Sequence, residues 1–236
     1  MTQVLPGGFL FRYKIEAQRL QRAPGRKGPL PNLDHLDPLP HLASLSQTTD
    51  TPPADPFASL RLGWHETGLA VQMDVTGKTQ PLSCTAPTTA ATAATAATAA
   101  TPDGLKLWID TRNTQTIHRA SRFCHAFALQ PAGGGRGGKR PVIVNCPIAR
   151  ALDEPPAAPP GALRIESQVH KDGYQLQAWI AAAALNGWDL DTIDAIGFSY
   201  HVRDSELGDQ FLALGPEFPC DRDPSLWSVL RLDTQS

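Results

Sequence analysis

Apolar residues in this chain alternate along short runs, and no long stretch keeps a helical period. In FLFRYKIEA, Phe9, Phe11, Tyr13 and Ile15 fall on one side of an extended chain, and Arg12, Lys14 and Glu16 on the other. That pattern marks a strand with one buried face. FASLRLGW and LAVQMDV repeat it on either side of the turn HETG, with Leu60 and Leu62 in the first run and Leu69, Val71, Met73 and Val75 in the second. This reads as a hairpin, Gly68 supplying the positive φ that a tight turn needs. LKLWID and RFCHAFAL, PVIVN, LRIESQV and YQLQAWI around HKDG, IGFSYHV, FLALG and LWSVLRL complete the set. The 22 prolines and 19 glycines keep these runs short. Many short strands with turn signals and almost no helix predict an all-β fold, an antiparallel two-sheet β-sandwich of the immunoglobulin or jelly-roll kind. One short helix is expected at AAAAL, after Trp179.

The expected organisation is a single domain over residues 1–236 with long loop insertions. Residues 85–102 are low in complexity, with an Ala-Ala-Thr period of three that gives no amphipathic stripe, and a disordered loop is expected there. Gly/Pro-rich insertions fall at 131–141 and 153–161, and the proline-rich stretch from Arg22 to Pro56 is expected to cross the surface. A formal net charge of -2 gives no global field to recruit nucleic acid or an anionic membrane. No signal-peptide pattern opens the chain and no run is apolar enough to span a bilayer, so a cytoplasmic location is the expectation. The four cysteines are scattered without a C-x-x-C pair, and are expected to be reduced thiols.

GGGRGGKR, at Gly133 to Arg140, nearly spells a phosphate loop, but Arg140 stands where magnesium needs a hydroxyl, and a strand follows where a helix is required. IHRASRFCH concentrates His118, Arg119, Arg122, Cys124 and His125. Strand alternation sends His125 one way and Cys124 and Arg122 the other, so no zinc quartet forms, and no metal ligands are assigned. The same residues can donate to a sugar hydroxyl or a carboxylate. DGLKLWIDTRN ends its strand in Asp110, Arg112 and Asn113, beside that basic loop. Alternation places Leu105, Leu107 and Ile109 on the core side and Lys106, Trp108 and Asp110 on the other. Trp64 and Trp227 stand at the ends of strands, where an aromatic ring can stack on a sugar. There is no G-x-S-x-G elbow and no H-E-x-x-H, so catalysis is not expected.

DGLKLWID resembles the Asp-x-apolar-x-apolar-aromatic-Ile-Asp strand of family 9 carbohydrate-binding modules, in the DOMON-like β-sandwich group. RLGWHETGLAVQMDV, DGYQLQAWIAAAAL and IGFSYHVRDSE resemble three further blocks of that family in its own order, over roughly Phe57 to Leu232. Gln177 replaces the family's usual Glu, and Ala181 its Pro. The resemblance implies a non-catalytic module that binds a sugar or polysaccharide end in a cleft of aromatic and polar side chains. Trp227 would be the counterpart of a stacking aromatic. No cofactor is expected beyond a structural calcium, which some members bind. The expected ligand set is Trp227, Trp64, Asp110, Arg112, His118, Arg119, Arg122 and His125. The alternatives are a haem-binding DOMON-type electron-transfer domain using Met73 and a histidine, and an interaction module without a small ligand.

Overall fold

The structure is a computed structural model that describes residues 13–42, 55–84 and 102–232. Phe9, Phe11 and the Ala-Ala-Thr run up to Thr101 lie outside the described residues. Among the described residues eleven strands follow in order: β1 Lys14–Arg19, β2 Ala58–His65, β3 Gly68–Thr76, β4 Gly104–Asp110, β5 Cys124–Gly134, β6 Arg140–Cys146, β7 Leu163–His170, β8 Gly173–Ala181, β9 Ala195–Asp204, β10 Gly208–Phe211 and β11 Ser228–Leu232. The expected helix is one 3-10 turn, Ala182–Ala184. The glycine-rich run at 131–141 is largely ordered as a hairpin, because β5 continues to Gly134 and β6 resumes at Arg140. The strand expected at FLALG is displaced towards the N-terminus: the short strand β10 pairs with β9 and ends at Phe211, the first residue of that run.

All-β character is as expected, but separate antiparallel sheets are not what forms. The strands make one sheet in the order β6-β5-β4-β9-β11-β1-β2-β3-β8-β7, with β10 added on β9. β1 pairs parallel with both β11 and β2, while every other pair is antiparallel. A parallel partner needs a long crossover rather than a hairpin, and the proline-rich segment after β1 supplies one. The sheet curls until its ends approach, where Ser167 Oγ on β7 donates to Pro131 O on β5 at 2.8 Å.

Alternation decides what this curl encloses. Leu69, Val71, Met73 and Val75 of β3 sit opposite Ile180, Ala178, Leu176 and Tyr174 of β8. They meet Leu105, Leu107 and Ile109 of β4, Phe127 of β5 and Phe198 of β9 in one core. The outward side of β3 and β8 is covered as well. Leu20, Leu30, Leu33 and Leu36 of the proline-rich segment lie on Ala70 and Trp179. Gln72 Oε1 takes hydrogen bonds from Leu33 N at 2.8 Å and from Gln177 Nε2 at 3.1 Å, so the amide at 177 has a donor's task that a carboxylate could not fill. Gly68 has φ 152°, and a Cβ there would stand 2.3 Å from Ile180 O. Gly104, at the head of β4, has φ 149°, and its Cβ would meet Leu129 O at 2.1 Å. Both turns therefore require glycine.

Candidate functional site

The outward side of β5, β4 and β9 carries a groove. On β4, Lys106 and Trp108 point away from the core. The cross-strand neighbours of Trp108 are Ala126 and Ser199, and those of Lys106 are Ala128 and His201. Small side chains on both flanks keep the floor low. One wall is the loop from Gly215 to Arg222, and the other is the turn after β6 at Cys146 and Pro147. The larger hollow holds about 420 Å³, and a second of about 140 Å³ shares Lys106, Trp108 and Asp221 with it. A recess of about 50 Å³ continues past Lys106 towards Asp103.

The groove floor is polar on one side and aromatic on the other. His201 Nε2 meets Asp209 Oδ1 at 2.6 Å, and Arg203 Nη1 donates to Asp209 Oδ2 at 3.0 Å. The His201 ring stacks on Phe211 with centroids 4.3 Å apart. Burial lowers the His201 pKa, Asp209 opposes that shift, and the Lys106 charge adds to it. Trp108, 7% exposed, is packed in a small cluster with Ala126, Cys124, Ile148 and Trp227 on the outward face of the sheet. Burial raises the Cys146 thiol, despite the nearby Lys106, so the groove holds a thiol and no activated nucleophile. A ring, an ammonium, a histidine–aspartate pair and two wall carboxylates, Glu217 and Asp221, form a hydrogen-bonding surface around one apolar platform. That composition suits a polyhydroxylated ligand.

The residues expected from sequence stand elsewhere, and none of the eight lines this groove. Trp227 was expected to be exposed and is instead fully buried, its Nε1 donating to Cys220 O at 2.8 Å. It packs beside Trp108 in the outward-face cluster, directly after the turn Pro224–Leu226. Trp64 is likewise in the core, donating to Ala17 O at 3.0 Å. Asp110 shapes the turn, accepting from Arg112 N at 3.0 Å and Thr114 N at 2.6 Å. Burial raises its pKa against those two donors. His125 faces inward, stacked against Phe127, with Nε2 3.4 Å from Asn186 O. Burial pushes it down to about 4. Arg112, His118, Arg119 and Arg122 are exposed. The guanidiniums of Arg112 and Arg122 lie over Phe123 at 4.7 and 5.3 Å, and Arg119 donates to Arg150 O at 2.9 Å. Alternation along β4 could have named Lys106 and Trp108. The wall from Gly215 to Arg222 left no sequence signal.

His118, Asp223 and Ser225 assemble the residue types of a hydrolase triad without its geometry. Ser225 Oγ and Asp223 Oδ2 both approach Nδ1 of His118, at 3.1 and 3.2 Å. A relay needs the base and the orienting acid on different ring nitrogens. Ser225 Oγ also donates directly to Asp223 Oδ1 at 2.6 Å, which makes the acid a cap for the turn.

The calcium suggested by the resemblance finds no ligand set among the described residues, where no group of three or more His, Cys, Asp or Glu side chains could hold an ion. Two buried acids, Asp103 and Asp204, do converge, but on Lys78, whose Nζ lies 3.2 and 3.0 Å from them. Met73, the haem candidate, is packed in the core between Leu60 and Leu176. A cleft of about 750 Å³ runs between β1 and residues 36–40, but no aromatic side chain lines it. Among the described residues no helix is long and apolar enough to cross a membrane.

No family model matches the chain. No curated protein matches it either. Among solved structures, a family 9 carbohydrate-binding module from Caldicellulosiruptor kristjanssonii, in complex with glucose, is similar over 95% of this chain and 97% of its own, with a TM-score of 0.59 and 14% identity. A module of the same family and organism in complex with cellotriose has a TM-score of 0.57 and 15% identity, covering 95% of each chain. This chain therefore has the fold of a family 9 carbohydrate-binding module.

Proposed function

We propose that the chain is a non-catalytic carbohydrate-binding module that takes a sugar in the groove above Trp108. The observation that carries this reading is the convergence of Trp108, Lys106, His201, Glu217 and Asp221 on one concave face. Two proteins of the same fold, in complex with glucose and with cellotriose, support it. The sugar ring lies on the tryptophan and its hydroxyls exchange with the polar groups around it. Arg112, His118, Arg119 and Arg122 stand off this groove and make no contact with the bound ring.

A glycan array followed by titration calorimetry tests this. The full chain is expected to bind a sugar, and Trp108→Ala to weaken that binding at least tenfold with the thermal transition retained. Alanine at Arg119 or Arg122 is expected to change affinity far less. Silence across the array, or full affinity in the Trp108 variant, refutes the proposal.

A further inference from the structure

The groove floor contains one charge without a counterion. Lys106 is exposed, lines all three connected hollows, and enters none of the ion pairs or hydrogen bonds found among the described residues. Its flanking partners leave it unanswered. Ala128 offers only a methyl group, and His201 spends Nε2 on Asp209, which Arg203 also holds. Glu217, Asp221 and Arg222 stand on the wall, and the two acids remain beyond ion-pair reach of Nζ. A lysine ammonium has three donors and no acceptor, so an acceptor carrying negative charge completes it best.

Resting on the carbohydrate reading above, we infer that the sugar bound over Trp108 is acidic, a uronic acid whose carboxylate is seated on Lys106. The ring stays on Trp108 and the hydroxyls face Glu217, Asp221 and Arg222. Arg203, beside it on the floor, is committed to Asp209 through Nη1, which leaves a single flexible ammonium, and that matches a monovalent carboxylate better than a phosphate dianion. His201 does not take the carboxylate in its place, because its Nε2 is held by Asp209 at 2.6 Å.

Calorimetry on the full chain with glucuronic acid against glucose, and with trigalacturonate against neutral galactotriose, decides it. The acidic member of at least one pair is expected to bind tenfold tighter or more, with the advantage shrinking as salt is raised. Lys106→Met is expected to abolish the preference, bringing the acidic member of the pair down to the affinity of the neutral one, and Lys106→Arg to restore it in part. Equal affinities within both pairs, or a preference that survives Lys106→Met, overturn the inference and leave the carbohydrate reading standing. Binding to no sugar in any arm overturns both.

Discussion

Lys78→Met should be among the most damaging single substitutions in this protein. The lysine side chain is 3% exposed and bridges Asp103 and Asp204, whose side chains are 0% exposed. Its Nζ also reaches Ser205 Oγ at 3.3 Å. Methionine keeps the length of the stem and removes the charge. Asp103 would retain Ser83 N at 2.8 Å and Ser205 N at 2.6 Å, and Asp204 Oδ1 would retain Glu206 N and Leu207 N. Asp204 Oδ2 has no partner even with the lysine present. Removing one member of a buried ionic cluster costs about 3–5 kcal/mol, and the surviving backbone donors place this case near ~3. For a chain of this size each kcal/mol moves Tm by about 2–4 °C, so a fall of roughly 6–12 °C is expected. Urea unfolding measures the free energy directly, and the triple variant Lys78→Met, Asp103→Asn, Asp204→Asn should recover part of it. Alkaline pH provides an independent check. Burial alone would depress the Lys78 ammonium, but hydrogen bonds and charge from Asp204 and Asp103 raise it above its ordinary 10.5. The folded state then holds its proton more tightly than the unfolded chain. The stabilisation is complete below 10.5 and is lost as pH climbs through the higher folded value. A loss below about 1 kcal/mol, typical of an exposed ion pair, would refute the reasoning. The cluster also fixes Asp103 at the entry to β4, so the variant should loosen the end of the groove nearest Lys106.

Three further outcomes follow from the same geometry. Trp227→Ala should lower stability by about 3–5 kcal/mol, because it empties a fully buried site beside Trp108; an unfolding midpoint equal to wild type would contradict the packing. His125 is held neutral down to about pH 4 in the folded state, whereas the unfolded chain takes up its proton near 6.5, so stability should fall by roughly 3 kcal/mol as pH drops through that window. His125→Gln should remove most of that slope, and an unchanged slope in urea titrations would argue against a buried neutral imidazole. Chelation with EDTA should leave Tm where it is, since a resident ion would add its binding free energy to folding; a clear drop restored by calcium would show a site that the described residues do not reveal.

The sequence by itself determined the strands. Alternation at Leu69, Val71, Met73 and Val75, and at Leu105, Leu107 and Ile109, assigns the core side without any knowledge of partners, because side chains on a strand must point to opposite faces. Hairpins were equally legible at HETG and HKDG, since the turn residues are adjacent in the chain. What joins the hairpins was not, because nothing local distinguishes a strand that pairs parallel from one that pairs antiparallel; β1 lies between β11 and β2 only because the long crossover lets it. The site followed the same division. Lys106 and Trp108 could be placed on the outward face of β4 from alternation alone. Whether that face was open or covered depended on loops distant in sequence: residues 20–42 close the outward side of β3 and β8, while Gly215–Arg222 only walls the outward side of β4 and β9. Trp227 and Trp64 show the converse. Their place beside turns suggested exposure, but a large apolar ring at the end of a curled sheet has neighbours on every side, and tertiary packing buried both.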